Sequence, residues 1–331
     1  MDRRAFGRAL TGTLLATGGL TPTRGASGQV SRKVRRIGFI NVGPAAPNAP
    51  NVAAFREQLR ELGYADGRNL AIDFRWGDGH VERLPSLIGD LLEKKPEVIL
   101  SGGGPPTIRA LKAATNAVPV VFITGDPVNE GIVTSLSHPG GNLTGFALIA
   151  GSIEGKRMDL LREALPKTRR VAIIWNPATA DARTGHDDAK RAAAKLGLEP
   201  DWYEARSGPE LQQALASIPV GKVDALLVLA DSVLGFERTR IVEFAKQNRL
   251  PGVYFWREFV QDGGLMSYGA SLTAIYGRAA RYVDKILKGT KPADLPIEQP
   301  TTFELVVNLR TAKELGIDIP KSLLVRADVI S

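Results

Sequence analysis

Ser101-Gly102-Gly103-Gly104 stands between an apolar run and a helical pattern, where backbone N–H groups and one hydroxyl can hold an anionic group. It is not a phosphate loop, which needs Gly-Lys-Ser/Thr where this chain has Pro105-Pro106. Nor is it a dinucleotide fingerprint, which needs a third glycine opening the helix. A carboxylate suits it better; the alternative is a tight strand-to-helix turn. Asp126-Pro127 and Asp231-Ser232 each follow an apolar run. Either carboxylate can bind a ligand ammonium, or act only as a helix cap or turn former. Trp175, Tyr254, Phe255 and Trp256 fall at strand ends, as an apolar wall or as core. Asn41, Thr107 and Asn176 belong to further loops that follow predicted strands. The candidate ligand-binding set is therefore Asn41, Ser101, Gly102, Gly103, Thr107, Asp126, Trp175, Asn176, Asp231, Ser232 and Trp256.

Catalytic chemistry finds less support. The chain lacks a Gly-x-Ser-x-Gly elbow and a His-Glu-x-x-His zinc helix. It has no cysteine, which excludes disulfides, thiolate metal clusters and a cysteine nucleophile. Of its 3 histidines, His80 alternates with Asp78 and Glu82, but Gly77 and Gly79 make that stretch a loop. His138 precedes the turn Pro139-Gly140-Gly141, and His186 beside Asp187, Asp188 and Lys190 reads as solvated. No catalytic residue, metal or cofactor is expected.

The elements that must position these loops follow a repeated plan. Arg35 to Val42 reads as a buried strand, and Val52, Phe55, Leu59 and Leu62 recur at helical spacing up to Gly63. Strands are predicted at 70–76, 97–100, 118–124 and 143–149, with helices at 84–92 and 106–115. Then Arg169-Arg170-Val171-Ala172-Ile173-Ile174 echoes Arg35-Arg36-Ile37-Gly38-Phe39-Ile40, and Leu196-Gly197 echoes Leu62-Gly63, both at an offset of 134 residues. Leu250-Pro251-Gly252-Val253 echoes Val118-Pro119-Val120-Val121 at an offset of 132. Alternating strands and helices in two copies predict an α/β protein of two Rossmann-like lobes with parallel sheets joined by a hinge. In such sheets ligands sit beyond the carboxyl ends of the strands. The candidate loops, 41–48, 101–107, 124–130, 176–181, 231–234 and 255–258, should converge on a cleft between the lobes. The expected division is a first lobe at 35–150, a second at 151–289 and a tail at 290–331 crossing back over the hinge.

The chain begins Met1-Asp2-Arg3-Arg4-Ala5-Phe6-Gly7-Arg8, followed by a mildly apolar stretch from Ala9 to Leu20. That stretch is too short and too diluted by Gly and Thr to span a membrane, which takes about 20 apolar residues. It reads as a signal peptide over residues 1–26, cleaved near Ala26, with twin-arginine and general secretion both open, or else as an uncleaved basic tail. The formal net charge of +8 includes four Arg and one Asp of that leader, so the remainder carries +5. The remaining Lys and Arg are interleaved with acids, as in Arg56-Glu57, which argues against a nucleic-acid partner.

Several stretches together resemble one family. They are Asp126-Pro127-Val128-Asn129-Glu130-Gly131-Ile132-Val133 with Pro139-Gly140-Gly141-Asn142-Leu143-Thr144-Gly145, and Leu62-Gly63-Tyr64 with Asn69 and Arg75-Trp76. Gly263-Gly264-Leu265-Met266-Ser267-Tyr268-Gly269, Pro296-Ile297-Glu298-Gln299-Pro300, Phe303 to Asn308 and Arg326-Ala327-Asp328 complete the match. This pattern is similar to that of substrate-binding proteins of ABC (ATP-driven) importers, whose members include binders of tryptophan and other aromatic amino acids. The resemblance implies the type I periplasmic binding fold, with three crossovers and closure around a small solute. It also implies that the 101–104 loop holds a carboxylate or other polar head, with Asp126 at the first lobe's lip and Asp231 opposite. Many members have a Gly-Thr-type turn where this chain has Ser-Gly-Gly-Gly-Pro-Pro, so the head group stays open.

The expected function is delivery of a small organic solute, an amino acid or related carboxylate, to an ABC permease and its ATPase subunits. The protein is expected to be a periplasmic monomer without a catalytic step. The rival expectations are a periplasmic ligand sensor for a receptor kinase and an exported α/β enzyme.

Overall fold

The structure, a computed structural model, describes residues 34–148 and 153–331. The expected leader at 1–26 lies outside the described residues.

In the first sheet, strands β1 (Arg35–Asn41), β2 (Leu70–Trp76), β3 (Val98–Ser101), β4 (Val120–Thr124) and β5 (Leu143–Ala147) run parallel in the order β2-β1-β3-β4-β5. Parallel strands buried on both faces read as continuous apolar runs, and successive side chains go to opposite sides. Ile37, Phe39, Val98, Leu100, Val121 and Ile123 accordingly pack on one face, and Ile40, Ile99, Val120 and Phe122 on the other. Helix α1 (Ala45–Glu61) covers the first face with Phe55 and Leu59; α2 (Leu84–Glu93) and α3 (Pro105–Ala114) cover the second. Helix α1 begins seven residues ahead of the periodic signal at Val52 and runs through Pro47 and Pro50. Pro47 falls in the first turn, where an N–H has no helical acceptor to lose.

The second lobe repeats the order. After α4 (Ile153–Ala164), strands β6 (Arg170–Trp175), β7 (Glu199–Glu204), β8 (Ala225–Val228), β9 (Gly252–Tyr254) and β10 (Met266–Gly269) line up as β7-β6-β8-β9-β10, all parallel. Helices α5 (Ala180–Leu196), α6 (Gly208–Ser217), α7 (Ser232–Phe236), α8 (Arg238–Gln247) and α9 (Arg257–Gln261) connect them. Residues at odd and even positions of β6 again divide between two cores, Val171 and Ile173 from Ala172 and Ile174. Beyond β10 the sheet continues through β11 (Glu304–Asn308), antiparallel to β10, and β12 (Ala327–Ile330), parallel to β11, so this sheet is not purely parallel.

The expected boundary at residue 289 is corrected at one element. Helix α10 (Leu272–Leu287) packs on the first lobe: Ile275, Tyr276, Ala279, Val283 and Ile286 share a core with Ile37, Phe39, Phe55 and Leu59. The Tyr64 hydroxyl donates to Asp284 at 2.9 Å. Its apolar stripe is long enough to bury against either sheet, and the second lobe's two faces are already filled by α4, α5, α6 and α8. Residues 295–298 then stay beside β5, where Ala147 N–H donates to the Glu298 carbonyl at 2.8 Å and the Thr144 hydroxyl to the Leu295 carbonyl at 2.8 Å. Short helices α11 (Leu309–Leu315) and α12 (Lys321–Leu324) lie around the β11–β12 extension. No helix among the described residues is long and apolar enough to cross a membrane.

Candidate functional site

The carboxyl ends of both sheets face one cleft, which divides into two chambers. The outer chamber, about 640 Å³ including space open to solvent, has Gly125, Asp126 and Glu130 of the first lobe on one side. Arg157, Asp181, Asp231, Phe255 and Trp256 of the second lobe stand opposite. The inner chamber, about 540 Å³ on the same footing, is walled by Asn41, Asn51, Thr124 and Tyr276 from the first lobe and by Trp256 and Glu258 from the second. Gly125, Leu148, Ser232 and Trp256 line both, so the chambers adjoin.

Glycines at the cleft make room for close approach. A Cβ on Gly102 would lie 2.3 Å from the Tyr276 hydroxyl and 2.6 Å from Asn41 Nδ2. A Cβ on Gly125 would lie 2.6 Å from Asp181 Oδ2, which brings the second lobe's carboxylate against the first lobe's backbone. The lobes also meet at Glu130, whose Oε1 accepts from the Ala180 N–H at 2.5 Å, at the start of the 17-residue helix α5. Its other carboxylate oxygen pairs with Arg109. A carboxylate at a helix N-terminus meets both an unpaired N–H and the positive end of the helix dipole.

The outer chamber is acidic with one cation in its wall. Arg157, 2% exposed, donates through Nε to the Tyr268 carbonyl at 2.7 Å and through Nη1 to Glu154, one helical turn earlier on α4. Among the described residues its Nη2 has no partner. Asp181 has its carboxyl pushed up to about 7, first by burial and then by Glu154 and Asp126; Arg157 opposes this and Glu130 adds to it. Burial likewise pushes Asp231 up, although Asn176 and the amides at the start of α7 stabilise its charged form. Such perturbed carboxyls gathered in a cleft are a frequent mark of a functional site.

A family model described as "ABC transporter substrate binding protein" matches residues 46–330. The chain belongs to that family. The tyrosine-binding protein of Clostridioides difficile (strain R20291) is 26% identical over 290 residues, 87% of this chain and 82% of that one. A crystal structure of a conserved domain protein from Vibrio cholerae O1 biovar El Tor superposes with a TM-score of 0.82 at 27% identity, covering 90% of this chain and all of that chain. The structure of an ABC domain from Streptococcus pneumoniae in complex with L-Trp gives a TM-score of 0.81 at 25% identity, covering 89% and 99%. The fold is thus that of the type I periplasmic binding proteins, as the family resemblance implied and in agreement with the duplicated plan.

In this substrate-binding protein, the cleft gathers Asn41, Gly103, Asp126, Asp231, Ser232 and Trp256 from the residues expected by sequence. Asn41 is held by its Oδ1 accepting from Gly43 N–H at 2.8 Å and its Nδ2 donating to Asn48 at 3.2 Å. Asp126 accepts from the Val128 and Asn129 amides at 3.1 and 3.0 Å, and Asp231 caps α7 through Val233 N–H at 2.8 Å. Both therefore serve the turn and face the chamber. Ser101, Gly102, Thr107, Trp175 and Asn176 do not line either chamber. Ser101 and Thr107 are wholly buried, Gly102 is covered by Tyr276 and Asn41, and Asn176 acts behind Asp231, donating to its Oδ2 at 3.1 Å. Trp175 points to the other face of β6, where it stacks at 4.4 Å on His186, which also lies 4.1 Å from Trp202; His186 is packed rather than solvated. Sequence reasoning missed Arg157, Asp181, Asn51, Tyr276 and Glu258. The Glu154–Arg157 spacing of three, placing both charges on one face of an otherwise core-facing helix, was the available signal.

Proposed function

We propose that the protein is the exported solute-binding component of an ABC importer, and that it holds an aromatic α-amino acid between its lobes. The observation that carries this reading is the outer chamber's pairing of opposite chemistries. The free Nη2 edge of Arg157 can take the ligand's carboxylate, while Asp126 and Asp181, facing one another from opposite lobes, take its ammonium. A zwitterion satisfies both at once, with charge-assisted hydrogen bonds on each side. Phe255, Trp256 and Phe303 flank this head-group site, and Trp256 continues into the inner chamber, which is where an aromatic side chain would lie. The tyrosine-binding relative and the L-Trp-bound neighbour support the ligand class.

Ligand bound to both lobes favours the closed arrangement, which a membrane permease can distinguish from the open one. The ATPase acts through that permease, and this chain contributes binding without a chemical step. The reading places the mature protein in the periplasm as a monomer. Native mass spectrometry of protein purified without denaturation, followed by calorimetry against the amino acids, tests it. An adduct with the mass of an aromatic amino acid and saturable binding of it are expected. Binding only of sugars or of anionic solutes lacking an ammonium would overturn the reading.

A further inference from the structure

The inner chamber is walled in part by two residues whose buried side-chain oxygens have no hydrogen-bond partner among the described residues. Asn51 on α1 and Thr124 at the end of β4 are 3% and 2% exposed, and both line this chamber. Among the described residues Asn51 Oδ1 and Thr124 Oγ1 have no hydrogen-bond partner. Glu258, 7% exposed, lines the same space from the second lobe, and burial pushes its carboxyl up. Apart from its own amide, its side chain has no hydrogen-bond partner among the described residues. Buried polar atoms are almost always paired, and leaving one unpaired is costly. Here they sit around an aromatic slot formed by Trp256, Tyr276 and Phe236.

We propose that the inner chamber reads a hydrogen-bond donor carried on the ligand's ring, with Asn51 and Thr124 as the specificity-determining residues. The inference rests on the aromatic amino-acid reading above and narrows it to rings bearing O–H or N–H, a phenol or an indole. The head group stays with Arg157, Asp126 and Asp181, and the ring passes along Trp256. Its donor then meets oxygens that an unsubstituted phenyl ring would leave buried and unpaired. A site built to pair a ligand hydroxyl or N–H rejects the analogue lacking it far more strongly than a greasy slot distinguishes sizes.

The test is calorimetry on the purified full protein with L-tyrosine, L-tryptophan, L-phenylalanine, O-methyl-L-tyrosine, 1-methyl-L-tryptophan and L-lysine. Tyrosine or tryptophan should bind at least about tenfold more tightly than phenylalanine and than its own methylated analogue. Thr124→Val and Asn51→Leu should shrink that ratio by weakening the donor-bearing ligand more than phenylalanine; melting curves check that both variants fold. Equal binding of phenylalanine and tyrosine by the wild-type protein overturns this inference while leaving the aromatic amino-acid reading intact. So does preference for lysine, whose aliphatic ammonium would then be what the oxygens read. A ratio unchanged in folded variants overturns the assignment to Asn51 and Thr124, and no binding of any aromatic amino acid overturns both readings.

Discussion

Asp181→Asn isolates the electrostatics of the cleft. In the folded protein the Asp181 carboxyl is raised from 3.8 to about 7, with burial the largest cause and Glu154 and Asp126 next. The folded state therefore keeps a proton that the unfolded chain gives up as pH rises from about 4 to about 7. Stability falls through that window, and the cost is complete above it. A rise of about three pH units at ~1.36 kcal/mol each sets an upper bound of about 4 kcal/mol. Asp181 keeps partial contact with solvent, so about half of that, ~2 kcal/mol, is the working figure. With an unfolding entropy of about 2.1 cal/mol/K per residue over roughly 300 residues, this corresponds to about 3 °C in melting temperature. Asp181→Asn should raise the melting temperature of the ligand-free protein by that amount at pH 8 and leave it unchanged at pH 4. Differential scanning fluorimetry across this range measures it. A ligand ammonium between Asp126 and Asp181 should also favour the charged carboxylate. Calorimetry at pH 7 in buffers of different ionisation enthalpy should then show release of about half a proton by the wild-type protein and none by the variant. Parallel pH profiles for the two proteins would refute the reasoning, because Asp231 and Glu258, which are also raised, contribute equally to both.

The remaining predictions concern other links. Gly145→Ala should destabilise the first lobe by roughly 3 kcal/mol or more, read from urea unfolding: Gly145 has φ +153°, and a Cβ there would lie 2.0 Å from the Phe122 carbonyl oxygen. Arg157→Met removes the cation paired with Glu154, whose second oxygen lacks a partner among the described residues, so a loss of about 3–5 kcal/mol in the same assay is expected, together with loss of ligand binding. Glu130→Ala deletes the acceptor of the Ala180 amide across the cleft. Ligand release followed by stopped-flow fluorescence should quicken by about tenfold, with little change in the unfolding curve.

Much of the architecture was local in origin and so was visible in the chain. Continuous apolar runs along β1 and β6, helical spacing at Phe55 and Leu59, and the left-handed Gly197 that ends α5 each depend on a few neighbouring residues. The cleft loops followed from the same patterns, because parallel strands place their carboxyl ends together. Asp126, Asp231 and Trp256 were found that way. Arg157 and Asp181 were not, since charges within a helical stretch are usually solvated, and only the packing of α4 and α5 turns these two toward the cleft.

Two α/β lobes on one plan, the loops that meet between them and the motifs of a substrate-binding family are all written in the order of residues along the chain. Long-range packing settled that α10 belongs to the first lobe and that Trp175 turns away from the cleft. It also decided that Asp181 lies against Gly125 and that Asn51 and Thr124 wall the inner chamber. The physical reason is range. Strand and helix patterns are written over a few residues, whereas desolvation, a carboxylate's field and an unpaired oxygen depend on groups brought together from separate elements, such as Asp126 with Asp181 and Asn51 with Glu258.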